Sequence, residues 1–228
     1  MFSLFTCAYA EESEAAAAKP GFFESVFGKI AELPPTVWIA LGVLVVLGVI
    51  LLVICRNSRQ LTATAVSYAA LAVALSFVLS CIRLYRMPQG GSVTPGSMLP
   101  ILFFSAGFGV IPGLIAGLVD GLLQYLEGGW FLNVWQVLLD YFLAYAALGL
   151  CGFYRKVRQK NIYTFCACMF VAILARGLSA TLAGYMFWDT AFWASLVYNC
   201  TYLIPEFAVC CLLAIPLFKP VMSVLKKR

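Results

Sequence analysis

The chain has 228 residues, 63% of them hydrophobic and 11% charged, with a net charge of +5 and no histidine. Mean hydropathy is +0.95. A soluble domain cannot keep that much apolar surface away from water. The basic residues sit in loop clusters rather than in a patch interleaved with aromatics, which excludes nucleic acid as a partner.

Several apolar runs approach 20 residues, the length that crosses a hydrocarbon core of ~30 Å. They are continuous rather than alternating, so they read as helices and not as barrel strands. The nine cysteines (Cys7, Cys55, Cys81, Cys151, Cys166, Cys168, Cys200, Cys210 and Cys211) fall mostly inside these runs. No CxxC occurs, so they read as small packing residues, with no metal site and no disulfide framework.

In chain order, residues 1–35 form a polar and acidic segment. MFSLFTCAYA before EESEAAAAKPG reads as the remnant of a signal peptide with an AYA cleavage site, or else as a polar tail with an amphipathic piece, Phe22 to Leu33, lying on the membrane. Residues 36–60 hold a first span, Thr36 to Cys55, closed by Arg56 and Arg59. Residues 61–228 carry the rest. Ala63 to Ile82 is a span. Met98 to Val110 and Ile111 to Tyr125 form a hairpin about a Gly/Pro corner at Gly107–Pro112. Asn133 to Tyr154, Ile162 to Trp188 and Ala191 to Phe218 complete the set. The expected fold is an all-α membrane protein, a six-helix bundle preceded by one extra transmembrane helix, seven crossings in all.

Lys and Arg set the expected orientation. Arg56 and Arg59, the Arg155–Lys160 loop, and Lys219 with Lys226, Lys227 and Arg228 fall on one side if there are seven crossings. That side is the cytoplasm of a multi-pass plasma-membrane protein, with the acidic N-terminus outside and the C-terminus inside. The outer loops are then 83–97, 127–132 and 189–192. They are rich in Gly and Trp, and such tryptophans also suit an interfacial belt.

Charges at membrane depth are costly, so each is a candidate for function. Asp120, Asp140, Arg176 and Glu206 are of this kind. An internal Asp140–Arg176 ion pair tying helices together is one reading; a polar cavity facing a ligand is the other. Asp140 has Gln136 one turn earlier, Tyr141 beside it, and Trp130 and Trp135 close by. A carboxylate among aromatic faces suits a cationic ligand, or a flat ring with paired N–H donors. Tyr198, Asn199 and Tyr202 add polar groups, Asn199 with both a donor and an acceptor. Ala63, Ser67, Ala70 and Ala74 share one helix face, a small-residue stripe suited to close helix approach or to ordinary packing. No GxxxxGK[ST], HExxH or GxSxG occurs, and nothing pairs a nucleophile with a base, so an enzyme is not expected.

Six segments then align in order: AALAVALSFVL, MPQGGSVTPGSMLPI, GLIAGLVDGLLQYL, WFLNVWQVLLDYFLAYAALGLCGF, RGLSATLAGYMFW and SLVYNCTYLIPE. From about Leu61 onward the chain resembles the thiamine-specific substrate-binding (S) components of energy-coupling factor (ECF) transporters. The resemblance implies a six-helix S-component fold that binds thiamine or a close relative near its outer face. It implies separate partners as well, namely a membrane coupling protein and two ATPase subunits. Ala70 and Ala74 match a docking face for the coupling protein. Asp140 matches the site carboxylate and Tyr141 the aromatic beside it. Trp130, Arg176, Gly184, Trp188 and Asn199 match further site positions, and Gln89, Gly90, Gly91, Ser92 and Thr94 the lid segment.

The chain departs from the pattern at Ala180, where the family commonly has histidine, and at Ala194, where it often has tyrosine. Ala106 and Gly107 replace two arginines of the inner corner. Trp193 and Tyr198 are candidates to replace the missing contacts. Other functions stay open on the residues alone. One is a stand-alone secondary transporter of a small heterocyclic or cationic solute, with Asp120, Asp140 and Glu206 as an ion path. Another is a membrane assembly protein with no ligand.

Overall fold

The computed structural model describes residues 62–87, 91–188 and 190–226. The expected Thr36–Cys55 span and the N-terminal segment lie outside the described residues, as do Gln89 and Gly90 of the expected lid. The described chain is helical apart from one short strand pair. Its elements are α1 (Ala63–Cys81), β1 (Tyr85–Arg86), β2 (Ser92–Val93), α2 (Leu99–Phe108), α3 (Val110–Leu126), α4 (Val134–Lys156), α5 (Ile162–Phe187) and α6 (Phe192–Lys226). This is an all-α membrane protein. α1, α4, α5 and α6 are each long and apolar enough to cross a bilayer.

The helix starts follow from local chemistry. Thr62 accepts from the Ala65 N–H, Asn133 from that of Trp135, and Asn161 from that of Thr164. These are side-chain N-caps, each satisfying a donor that the first turn leaves unpaired. α2 and α3 are shorter than the other helices and meet at Gly109. Its φ of 107° is open to glycine and strained for other residues. The chain folds back there, and Gly113 packs against Ser105.

Glycines also let α3 touch the backbone of α4. A Cβ at Gly117 would strike the Tyr145 carbonyl, and one at Gly121 would come within 2.5 Å of the Tyr141 carbonyl. From the other side, a Cβ on Gly149 would meet the backbone of Leu114. Small residues of this kind replace the hydrophobic drive that lipid removes. The sequence reading singled out Ala63–Ala74 as the small-residue face. The glycine row Gly113, Gly117 and Gly121, at spacing four, is the one that joins helices within the bundle.

α4 is not a regular α-helix. Leu138–Leu143 is π-helical and Ala147–Lys156 winds as a tight 3-10 helix. The Leu139 carbonyl, in the π turn, accepts from the Ser179 hydroxyl of α5 at 2.7 Å. A π turn widens the helix and re-aims its side chains, and such turns are frequent at functional sites. Asp140 and Tyr141 lie in it.

The core divides along the bundle. Near the 3-10 end of α4, Phe103 stacks on Phe165 at 4.7 Å between centroids, and Tyr154 meets Phe165 edge-on at 5.8 Å. Leu148, Cys151, Phe165 and Met169 are fully enclosed there. The opposite end, where β1, β2 and the loops before α4 and α6 gather, is polar inside. The seven cysteines of the described residues are free thiols.

Candidate functional site

At the polar end a cavity of about 390 Å³ opens among β2, α4, α5 and α6. Such a volume suits a small molecule. One wall is built by the π turn of α4. Asp140 Oδ2 accepts from the Gln136 side-chain amide at 2.7 Å and faces the Trp188 indole N–H at 3.4 Å. Gln136 is itself fully buried behind the carboxylate, and its Oε1 accepts from the Leu132 N–H at 3.2 Å. It therefore orients Asp140 rather than lining the cavity.

Aromatic rings surround this carboxylate. Trp130 and Trp188 meet edge to face with centroids 5.9 Å apart. The Tyr141 hydroxyl accepts from the Trp130 N–H at 3.0 Å, which ties the loop before α4 to the π turn. An anionic group bordered by π faces attracts a flat cation on both counts.

The facing wall comes from α5 and α6. Asn199 donates to the Ser195 carbonyl at 2.9 Å, and its Oδ1 accepts from the Tyr202 hydroxyl at 2.6 Å. Gly184 lets the helices approach here, since a Cβ would strike the Ser195 hydroxyl. Arg176 also lines the cavity, with its guanidinium 4.1 Å from the centroid of the Tyr145 ring. Among the described residues Asp140 and Arg176 make no ion pair. The ion pair formed among the described residues is Arg83 with Glu127, of which Arg83 lines the cavity. The ion-pair reading of Asp140 thus gives way to a carboxylate held by neutral donors.

The structure brings together most of the residues singled out in the sequence. Asp140, Tyr141, Trp130, Arg176, Gly184, Trp188, Tyr198 and Asn199 line one cavity, joined by Gly91, Ser92 and Thr94. Trp193 is a correction. It is 73% exposed, meets Phe192 edge-on, and does not reach the cavity. The first turn of α6 points it outward, two residues before the inward-facing Ser195. Ala180 lines the cavity, and Ala194 is exposed outside it. Tyr145 and Ser195 belong to the lining although sequence reasoning passed over them. Their signal was spacing, because Tyr145 follows Tyr141 by four residues and Ser195 precedes Asn199 by four.

Asp120 and Glu206 are fully buried and already committed to bonds within the protein. Asp120 accepts from the Ser76 hydroxyl at 3.0 Å, joining α3 to α1. Glu206 accepts from Thr94. Ala63, Ser67, Ala70 and Ala74 all lie on the exposed face of α1, opposite the buried Ala65, Ala72 and Ser76.

Comparison with known proteins agrees with this architecture. Residues 66–226 match the thiamine transporter protein family, which is well over half of the chain. The chain belongs to that family. It is also similar to the thiamine transporter ThiT of Bacillus subtilis (strain 168), at 35% identity over 157 residues, covering 61% of this chain and 81% of that protein. The matched region contains α2 to α6 and all but the first three residues of α1. The polar cavity therefore sits in a member of a transporter family.

Proposed function

We propose that this chain is the substrate-binding (S) component of an ECF-type vitamin importer, and that it captures thiamine or a close relative from outside the cell. The observation that carries the reading is the Asp140 carboxylate, oriented by Gln136 and bordered by Trp188, Trp130 and Tyr141 in a cavity opposite Asn199. Thiamine has the complementary chemistry. Its thiazolium is a flat cation that gains from a carboxylate and from aromatic faces. Its aminopyrimidine offers an N–H donor and ring-nitrogen acceptors, which suit Asp140 and Asn199.

The family match and the similarity to a protein named as a thiamine transporter support the ligand. The chain has no phosphate-binding loop, so energy comes from separate subunits, a membrane coupling protein and two ATPases. The exposed stripe Ala63, Ser67, Ala70 and Ala74 is suited to dock on the coupling protein, because small residues let helices approach in lipid. The Lys and Arg distribution supports a C-terminus in the cytoplasm and an N-terminus outside.

A thermal-shift panel of thiamine, its phosphates, and its pyrimidine and thiazole fragments tests the ligand. A tight ligand raises the melting temperature by mass action, and no shift with any of them sinks the reading. Reconstitution in liposomes tests the role. Thiamine uptake by the chain alone, without ATPase partners, would make it a secondary transporter instead.

A further inference from the structure

Non-helical backbone at membrane depth must find its hydrogen-bond partners inside the protein. The stretch from Gly91 to Ser97 does this along α6. The Gly91 N–H donates to the Tyr198 hydroxyl at 3.2 Å. The Thr94 N–H donates to Glu206 Oε2 at 2.6 Å. A Cβ on Gly96 would lie 2.9 Å from Leu213. The partners advance along α6 as the stretch advances, so it descends beside the helix. Tyr198 and Glu206 are about 12 Å apart along the axis at 1.5 Å per residue. Three extended residues, Gly91 to Thr94, cover roughly 10 Å. The two lengths match.

Glu206 is 1% exposed, and both of its oxygens serve this stretch. Oε2 takes the Thr94 N–H, and Oε1 takes the Thr94 hydroxyl at 2.5 Å with the Ser97 hydroxyl 3.4 Å away. The Ser97 N–H in turn donates to Thr94 Oγ1 at 3.2 Å, closing a small ring of bonds. A buried carboxylate with neutral donors on one segment makes charge-assisted bonds stronger than ordinary ones. The same stretch forms a wall of the cavity, through Gly91, Ser92, Thr94 and Ser97. The two carboxylates of the cavity thus differ in duty. Asp140 is turned toward the aromatic rings, whereas Glu206 is spent on the wall. Pro205, directly before Glu206, removes one helical hydrogen bond, as Pro216 and Pro220 do further along α6, so the helix bends more cheaply at this point than at a turn without proline.

We propose that Glu206 is a positioning residue that latches the Gly91–Ser97 wall onto α6 through Thr94, and so sets how long a ligand stays in the cavity. The inference rests on the thiamine-binding reading for its ligand, but the latch itself has a readout without ligand.

In ligand-free protein, amide hydrogen exchange across residues 91–97 should rise in Glu206→Ala and stay as in the wild type in Asp140→Ala. Equal exchange in Glu206→Ala and wild type overturns the latch. With thiamine, stopped-flow tryptophan fluorescence separates association from dissociation. Thr94→Val and Glu206→Ala should each speed dissociation by roughly tenfold to a hundredfold, the loss expected for one or two charge-assisted bonds, with a smaller change in association. The double variant should dissociate no faster than Glu206→Ala alone, since the hydroxyl bond that Thr94→Val removes is one of the two that Glu206→Ala removes. Thr94→Val, a change in an irregular segment, keeps the test open if Glu206→Ala does not fold. Dissociation unchanged in Thr94→Val, or effects that multiply in the double variant, overturns the latch. A wild type that binds no thiamine while exchange still depends on Glu206 overturns the ligand and leaves the latch standing.

Discussion

The two ends of the bundle are made from the same helices and hold together by opposite means. At one end Phe103, Tyr154, Phe165 and Phe218 interlock by ring contacts, and Leu148, Cys151 and Met169 are sealed among them. At the other end α4, α5 and α6 enclose Asp140, Asn199, Arg176 and the hydroxyls around them. Packing of carbon tolerates no gap, because each lost contact is uncompensated. The polar end keeps a gap of about 390 Å³, and its groups are held by bonds to one another along the walls. The dry end fixes where the helices stand, so the polar end can present groups to a ligand without collapsing on itself.

That division yields predictions, given from the largest effect to the smallest. Asp140→Ala should weaken thiamine binding by roughly a hundredfold to a thousandfold, as for loss of a desolvated charge partner. Titration calorimetry reads it, and an unchanged affinity would break the assignment of that wall. Phe165→Ala should cost about 3 kcal/mol of stability through the cavity it leaves in the aromatic end. The affinity of the folded fraction should stay within about twofold, since distant sites act independently. A large loss of affinity with intact folding would show that the two ends are coupled.

Gly149→Ala puts a methyl into the Leu114 backbone, and should lower stability by about 1–3 kcal/mol as overpacking does. Denaturation of the detergent-solubilised chain measures it. Trp193→Ala should leave affinity unaltered, while Trp188→Ala lowers it by about tenfold, the scale of a lost cation–π and hydrogen-bond contact. Equal effects of the two would put Trp193 back in the site.

Much of this was legible in the sequence, for reasons that can be named. Continuous apolar runs gave the positions of the described helices to within a few residues, since lipid leaves the backbone little choice but a helix. The exception is α6, which runs on to Lys226, eight residues past the expected Phe218. Asp140 stood out because a charge at that depth is expensive, and Asn199 because its amide lay among tyrosines in an apolar run. Gln136 was legible as a neighbour of Asp140, four residues away on the same helix. Glu206 drew attention as a charge, although nothing local revealed that its partner was Thr94, 112 positions earlier.

Composition and hydropathy by themselves determined that this is a membrane protein of packed helices, and which few polar residues had to be accounted for. Only the tertiary structure decided their duties. It placed Trp188, at the end of α5, on the cavity, and turned Trp193, in the first turn of α6, outward. It widened α4 into a π turn at Asp140, which no propensity encodes, since the turn depends on Gly121 and Ser179 arriving from other helices. It also gave Asp120 to Ser76 and Glu206 to Thr94, pairings that depend on where remote segments meet.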